Sequence, residues 1–124
     1  VTVATILIVD DEPENVELLE RRLKRRGFHV LGAHSAEAGF AAARDGRPDL
    51  ILMDIKMPVL DGFAAMRMLR ADPATAGIPV IALTAHAMQE DRDRAAAAGA
   101  ADYETKPVDL DRLLGKIRQL TGAE

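Results

Sequence analysis

In this 124-residue chain, the side chains best suited to bind ions or move phosphoryl groups stand at the ends of apolar runs. Asp10, Asp11 and Glu12 follow TILIV, and Asp54 follows LILM. Thr84 follows PVIAL, and Thr105, Lys106 and Pro107 follow ADYE. If those ends lie side by side, one small patch holds three carboxylates, a hydroxyl and an ammonium. Carboxylates within a few ångströms of each other repel unless a cation sits among them. Oxygen-only ligands select a hard ion, and a partial shell completed by water and phosphate suits Mg²⁺. An ammonium and a hydroxyl suit the oxygens of a phosphoryl group. A carboxylate beside a metal can itself be the nucleophile in phosphoryl transfer.

Each residue has a plainer reading when taken alone. Asp54 could simply terminate a strand. Asp10 and Asp11 could favour the start of a helix, because acids are stabilised at a helix N-terminus. Thr84 could cap the helix that follows, and Lys106 could be a solvated loop lysine. The grouping is harder to explain as solubility.

The elements that must position these residues are legible as periodicity. Five short runs read as strands: Thr5 to Val9, Phe28 to Ala33, Leu50 to Met53, Pro79 to Leu83 and Ala101 to Glu104. The first, third and fourth are nearly continuous in apolar residues, which signals burial on both faces, as in parallel strands covered by helices. The second and fifth are mixed and suit edges. Between them lie helices. Pro13 opens the first, with Val16, Leu19 and Leu23 on one face and Gly27 as its stop. Ser35 opens a small-residue helix that Gly46 and Pro48 end. Asp61 and Gly62 precede a helix with Phe63, Met66 and Leu69 on one face, ended by Asp72-Pro73. Met88 to Ala98 is a polar, Ala-rich helix stopped by Gly99. Asp109 caps a last helix carrying Leu110, Leu113, Leu114, Ile117 and Leu120. Five βα units predict an α/β fold with a parallel sheet and helices on both faces. Ligands of such sheets sit beyond the carboxyl ends of the strands.

Composition narrows the classes. Apolar residues make up 48% and charged residues 29%, ordinary for a globular domain. The net charge of −4 gives no global basic field, so no direct nucleic-acid contact is expected. Without cysteine there is no disulfide or thiol chemistry. No apolar run approaches a membrane span. The reading expects one domain over residues 1–124, with a core of about 5–121, acting in the cytoplasm.

The stretches ILIVDDEPEN, PDLILMDIKMPVLDG, IPVIALTAHA and GAADYETKPVD together resemble the receiver domain of two-component response regulators. The resemblance implies a flavodoxin-like (βα)5 three-layer sandwich with strand order 2-1-3-4-5. It implies that Asp54 accepts a phosphoryl group from a phosphohistidine on a histidine kinase or histidine phosphotransfer protein. It implies Mg²⁺, with Mn²⁺ as a substitute, held by Asp10, Asp11, Asp54 and the backbone carbonyl of Lys56. Thr84 and Lys106 then contact phosphoryl oxygens, Lys106-Pro107 is a cis peptide, and the Tyr103 ring moves inward when Thr84 shifts. The face of helix four, strand five and helix five is reshaped and signals to a downstream protein. The module is not an enzyme with a substrate of its own, and it is expected as a monomer or weak dimer. Lys56 and His86, each two residues past a key site, are expected to tune the lifetime of the phosphorylated state.

Other features carry plainer readings. Tyr103 could be edge packing. ERRLKRR, Glu20 to Arg26, reads as a solvated face favoured by the helix dipole, with partner docking as the alternative. His29, His34 and His86 lack the spacing of transition-metal ligands. Two competing functions fit less well. Aspartyl-nucleophile phosphatases of the haloacid dehalogenase family carry a second aspartate two residues after the nucleophile, where this chain has Lys56. A flavin-binding protein of similar architecture needs a hydroxyl- and glycine-rich loop after strand one, where this chain has DDEPEN.

Overall fold

The computed structural model describes residues 3–57, 61–85 and 88–122. Five strands, β1 (Thr5–Val9), β2 (His29–Ala33), β3 (Leu50–Asp54), β4 (Val80–Thr84) and β5 (Asp102–Thr105), alternate with five helices. These are α1 (Pro13–Arg25), α2 (Ala36–Gly46), α3 (Gly62–Ala71), α4 (Gln89–Ala98) and α5 (Leu110–Thr121). The sheet is parallel in the order β2-β1-β3-β4-β5. The two mixed runs are the edges, as their composition predicts.

Strand alternation divides the core into two layers. Ile6, Ile8, Leu50, Leu52, Ile81 and Leu83 pack against Val16, Leu19 and Leu23 of α1 and Leu113, Leu114 and Ile117 of α5. Leu7, Val9, Ile51, Met53 and Ala82 pack on the opposite side, against small or apolar residues of α2, α3 and α4. Every residue of β3 and β4 is buried. Double-sided burial is why these strands read as unbroken apolar runs.

Several element boundaries differ by a residue from the sequence expectation. Asp54 and Thr84 belong to their strands as last residues rather than following them, because both are still paired: Asp54 with Leu83, and Thr84 with Thr105. The strand β5 is displaced by one residue, to Asp102–Thr105. The helix α2 ends at Gly46, as expected, and Arg47 just beyond it takes the left-handed conformation with φ 44°. A Cβ on Gly46 would meet Leu31 Cδ1 at 2.6 Å. The glycine there allows close approach to β2, and the turn falls on the next residue.

Candidate functional site

Parallel pairing brings the strand ends to one edge of the sheet. Val9 aligns with Met53, so the residues that follow, Asp10 and Asp54, emerge side by side. Backbone bonds extend this alignment past the strands. Asp10 N–H donates to Ala33 O, Ile55 N–H to Leu83 O, and Lys106 N–H to Thr84 O. The last bond carries the β5 end, with its cis Lys106-Pro107 peptide, over to the same edge.

Asp10 is fully buried and Asp54 is 5% exposed. Asp11 is half-buried. Oxygens of Asp10, Asp11 and Asp54 all lie within 4.8 Å of one another. The Lys106 ammonium reaches in, 2.9 Å from Asp10 Oδ2 and 3.3 Å from Asp54 Oδ2. In this state Lys106 therefore pairs with two carboxylates. Backbone amides fix the other oxygens: Glu12 N–H donates to Asp10 Oδ1 at 3.0 Å, and Lys56 N–H to Asp54 Oδ1 at 3.1 Å.

Electrostatics follows from this crowding. Burial pushes the Asp54 carboxyl above its ordinary range, and the Asp10 charge adds to that. The Lys56 amide and the Lys106 charge oppose the shift without cancelling it. Burial alone would lower the Lys106 pKa, but its carboxylate partners hold it above the ordinary lysine value. One ammonium faces three carboxylates, so the cluster carries uncompensated negative charge. An all-oxygen donor set of this compactness and charge fits a hard divalent cation.

Among the described residues, none of Asp10, Asp11 and Thr84 is the N-cap of a helix. Neither Asp10 nor Asp11 caps α1, whose cap is Glu12 without a side-chain bond. Thr84 does not cap α4, whose cap is Met88, four residues on. Thr84 is instead a buried strand end. The Lys56 side chain is exposed beside Asp54. His86 lies outside the described residues. Tyr103 stands one strand further along the sheet from β4, half-buried, its ring between cations of α4 and α5. Arg92 lies 4.4 Å and Lys116 4.9 Å from the ring centroid.

Two residues escaped sequence reasoning. Asn15 Nδ2 donates to Asp10 Oδ2 at 3.3 Å, helping to hold the carboxylate from the first turn of α1. Only its position inside DDEPEN hints at this. Gly62 does more than start α3. A Cβ there would lie 2.3 Å from Asp54 O and 2.6 Å from Ile55 Cα. The absence of a side chain lets α3 begin directly on the backbone that carries Asp54. A cavity of about 230 Å³ adjoins the acidic cluster, between α1 and the β5–α5 loop, with Leu18, Arg22 and Val108 among its walls.

The family of the response regulator receiver domain matches residues 6–118. The chain is 46% identical over 114 residues to protein PilH of Pseudomonas aeruginosa, covering 92% of this chain and 94% of PilH. It is 42% identical over 118 residues to the response regulator PleD of Caulobacter vibrioides, covering 95% of this chain but only 26% of PleD. Among solved structures it resembles the receiver domain of the sensor histidine kinase PA1611 of Pseudomonas aeruginosa, in which a magnesium ion is coordinated in the active-site cleft. That match has a TM-score of 0.89 at 36% identity and covers 98% of this chain and 100% of the other. No helix among the described residues is long and apolar enough to cross a membrane. With the sheet order, the acidic strand ends and these relatives in agreement, the chain belongs to the response regulator receiver domains, signalling modules of two-component systems.

Proposed function

We propose that residues 1–124 act as one receiver module in which Asp54 accepts a phosphoryl group from a phosphohistidine on a histidine kinase or histidine phosphotransfer protein. The observation that carries this reading is the convergence of Asp10, Asp11 and Asp54 within 4.8 Å, with Lys106 bridging two of them. An Asp54 oxygen forms the new O–P bond as the P–N bond to the donor histidine breaks. The imidazole leaves with the bonding electron pair and takes up a proton. Asp10, Asp11, Asp54 and the Lys56 carbonyl would hold Mg²⁺, or Mn²⁺ in its place. Bound there, the ion neutralises charge on the phosphoryl oxygens.

The chain's own groups do the rest. The Lys56 amide holds Asp54 Oδ1, leaving Oδ2 toward Lys106 and the incoming phosphorus. Lys106 then exchanges a carboxylate partner for a phosphoryl oxygen. Thr84, at the neighbouring strand end, supplies a hydroxyl to another. A bulkier dianion in place of a carboxylate draws Thr84 inward, and Tyr103 follows. The α4-β5-α5 face is thereby reshaped for a downstream protein, with the module monomeric or weakly dimeric. The exposed Lys56 side chain shields the phosphoryl group from water and lengthens its lifetime. Equal decay rates in wild type and Lys56→Ala would remove that last element.

The test of the phosphoacceptor is peptide mapping after incubation with acetyl phosphate and Mg²⁺, with borohydride reduction of the acyl phosphate. Conversion confined to the peptide containing Asp54 supports the reading. Conversion at another carboxylate contradicts it.

A further inference from the structure

The helix α4 has almost no apolar face. Of Gln89–Ala98, only Ala95 and Ala98 are buried. Two small side chains offer little area to hold a helix against a sheet, and two arginines add what the stripe lacks. The Arg92 guanidinium carbon lies 4.4 Å from the centroid of the Tyr103 ring on β5. That of Arg94 lies 4.2 Å from the centroid of the Phe63 ring at the start of α3. The two rings belong to the two elements flanking α4. Arg92 Nε is buried and has no hydrogen-bond partner among the described residues. Neither arginine has a carboxylate partner among the described residues.

The far end of α4 is held differently. Arg70 of α3 donates from Nε to Gly99 O at 3.0 Å, from a second nitrogen to the same oxygen, and from the third to Ala76 O. Gly99, the C-cap of α4, has φ 106°, and a Cβ there would meet Arg70 Nε at 2.7 Å. So the C-terminal end is fixed by directional bonds. The middle of the helix, at residues 92–94, is held by ring faces.

We propose that Arg92 and Arg94 are latches that dock the middle of α4, and that the Arg92 latch sets how readily the phosphorylated state is reached. This rests on the reading of Asp54 as phosphoacceptor and of Tyr103 as a ring that turns inward. Lys116, the other cation on that ring, is tethered to the body: it lies 3.2 Å from Glu104 Oε2 and donates to the Tyr103 carbonyl. Arg92 is carried by α4 alone. Turning Tyr103 inward withdraws the ring face from Arg92 and frees that flank, while Arg94 and the Arg70 anchor persist. Whatever stabilises the ring against Arg92 opposes its inward turn by the same amount. Arg92 is thus a positioning residue for the switch.

The experiment compares the full chain with Arg92→Met, Arg92→Lys and Arg94→Met; methionine keeps the helix propensity and length while removing the charge. Hydrogen exchange of α4 amides is read by mass spectrometry, and binding of fluoroberyllate, a tetrahedral phosphoryl analogue, is titrated with Mg²⁺ present. Arg92→Met is expected to speed α4 exchange in the unmodified protein roughly 5-fold, the factor that about 1 kcal/mol of cation–π contact gives. Its half-saturating fluoroberyllate falls by a similar factor, while Arg92→Lys stays near wild type. Arg94→Met speeds exchange without changing half-saturation, because Phe63 is not the switch ring. Unchanged exchange in both methionine variants overturns the latches. Unchanged half-saturation in Arg92→Met overturns the coupling. If wild type neither binds fluoroberyllate nor forms an acetyl phosphate adduct, the phosphoacceptor reading fails and the coupling fails with it. The exchange of the unmodified protein still decides the latches by itself.

Discussion

Lys106 Nζ lies 2.9 Å from Asp10 Oδ2 and 3.3 Å from Asp54 Oδ2, so a single ammonium ties the ends of β1 and β3 to the end of β5. Removing it leaves two buried carboxylates facing each other. The lysine side chain is 25% exposed, so water relieves part of the repulsion. We expect Lys106→Met to lower stability by about 2 kcal/mol, below the usual cost of breaking a buried pair. Urea unfolding of the metal-free protein checks this. Added Mg²⁺ should recover part of the loss, since it supplies positive charge at the same carboxylates.

Asp54 makes the opposite prediction. Its pKa is raised by burial, so the folded state holds the proton more tightly than the unfolded chain, whose ordinary value is 3.8. The favourable contribution of the protonated group is lost as pH rises through the folded pKa. At neutral pH the ionised carboxylate therefore costs stability. Asp54→Asn should be the more stable protein at pH 7 without metal. The advantage should shrink toward zero as pH falls below 3.8, where the aspartate is protonated in both states. Paired unfolding curves from pH 3 to about pH 7 read the difference directly.

Glu104 slopes the other way. It is 1% exposed on β5, and burial alone would raise its pKa. Bonds from Arg112 and Lys116 of α5 outweigh burial and hold it below its ordinary 4.5. A lowered carboxylate pKa contributes stability that is present above the ordinary value and lost as pH falls through the folded one. Glu104→Gln should cost about 1–2 kcal/mol at pH 7, discounted because the Arg112 side chain is half exposed. The cost should fade in acid, below the ordinary carboxylate range. A constant penalty at every pH would mean that shape, not charge, holds α5 to β5.

Gly62 links stability to chemistry. With Asp54 O 2.3 Å from the position of a Cβ, Gly62→Ala must move either α3 or the end of β3. The obstacle is backbone, which cannot swing aside as a side chain can. A loss of about 2 kcal/mol is expected, within the range for overpacking. Phosphorylation of the folded fraction should also slow, because Asp54 is carried on the displaced backbone. Normal adduct kinetics in a destabilised Gly62→Ala protein would separate the two effects and discard the second.

Much of this architecture is legible in the amino-acid sequence. Nearly continuous apolar runs at Leu50–Met53 and Pro79–Leu83 signal burial on both faces, and strand ends in βα units have one place to go. The convergence of Asp10, Asp54 and Lys106 follows from that topology. Contacts that leave no periodic trace are not legible. Nothing in the spacing says that Lys106 rests on Asp10, that Asn15 turns back to it, or that Gly62 is a close approach rather than a helix signal. Gly46 reads correctly as the end of α2, but nothing in the spacing says that its lack of a side chain also makes room for Leu31. The weak apolar stripe of α4 is visible in its composition, but the rings under Arg92 and Arg94 come from distant segments and belong to tertiary structure alone.

The measurement that bears most directly on the central claim is intact-mass spectrometry after incubation with acetyl phosphate. Wild type with Mg²⁺ is run beside Asp54→Asn and an EDTA-treated sample. A single phosphoryl adduct on wild type, absent from the asparagine variant and from the chelated sample, is the predicted result. An adduct that survives Asp54→Asn, or that forms equally well in EDTA, would contradict the account of Asp54 as a metal-assisted phosphoacceptor.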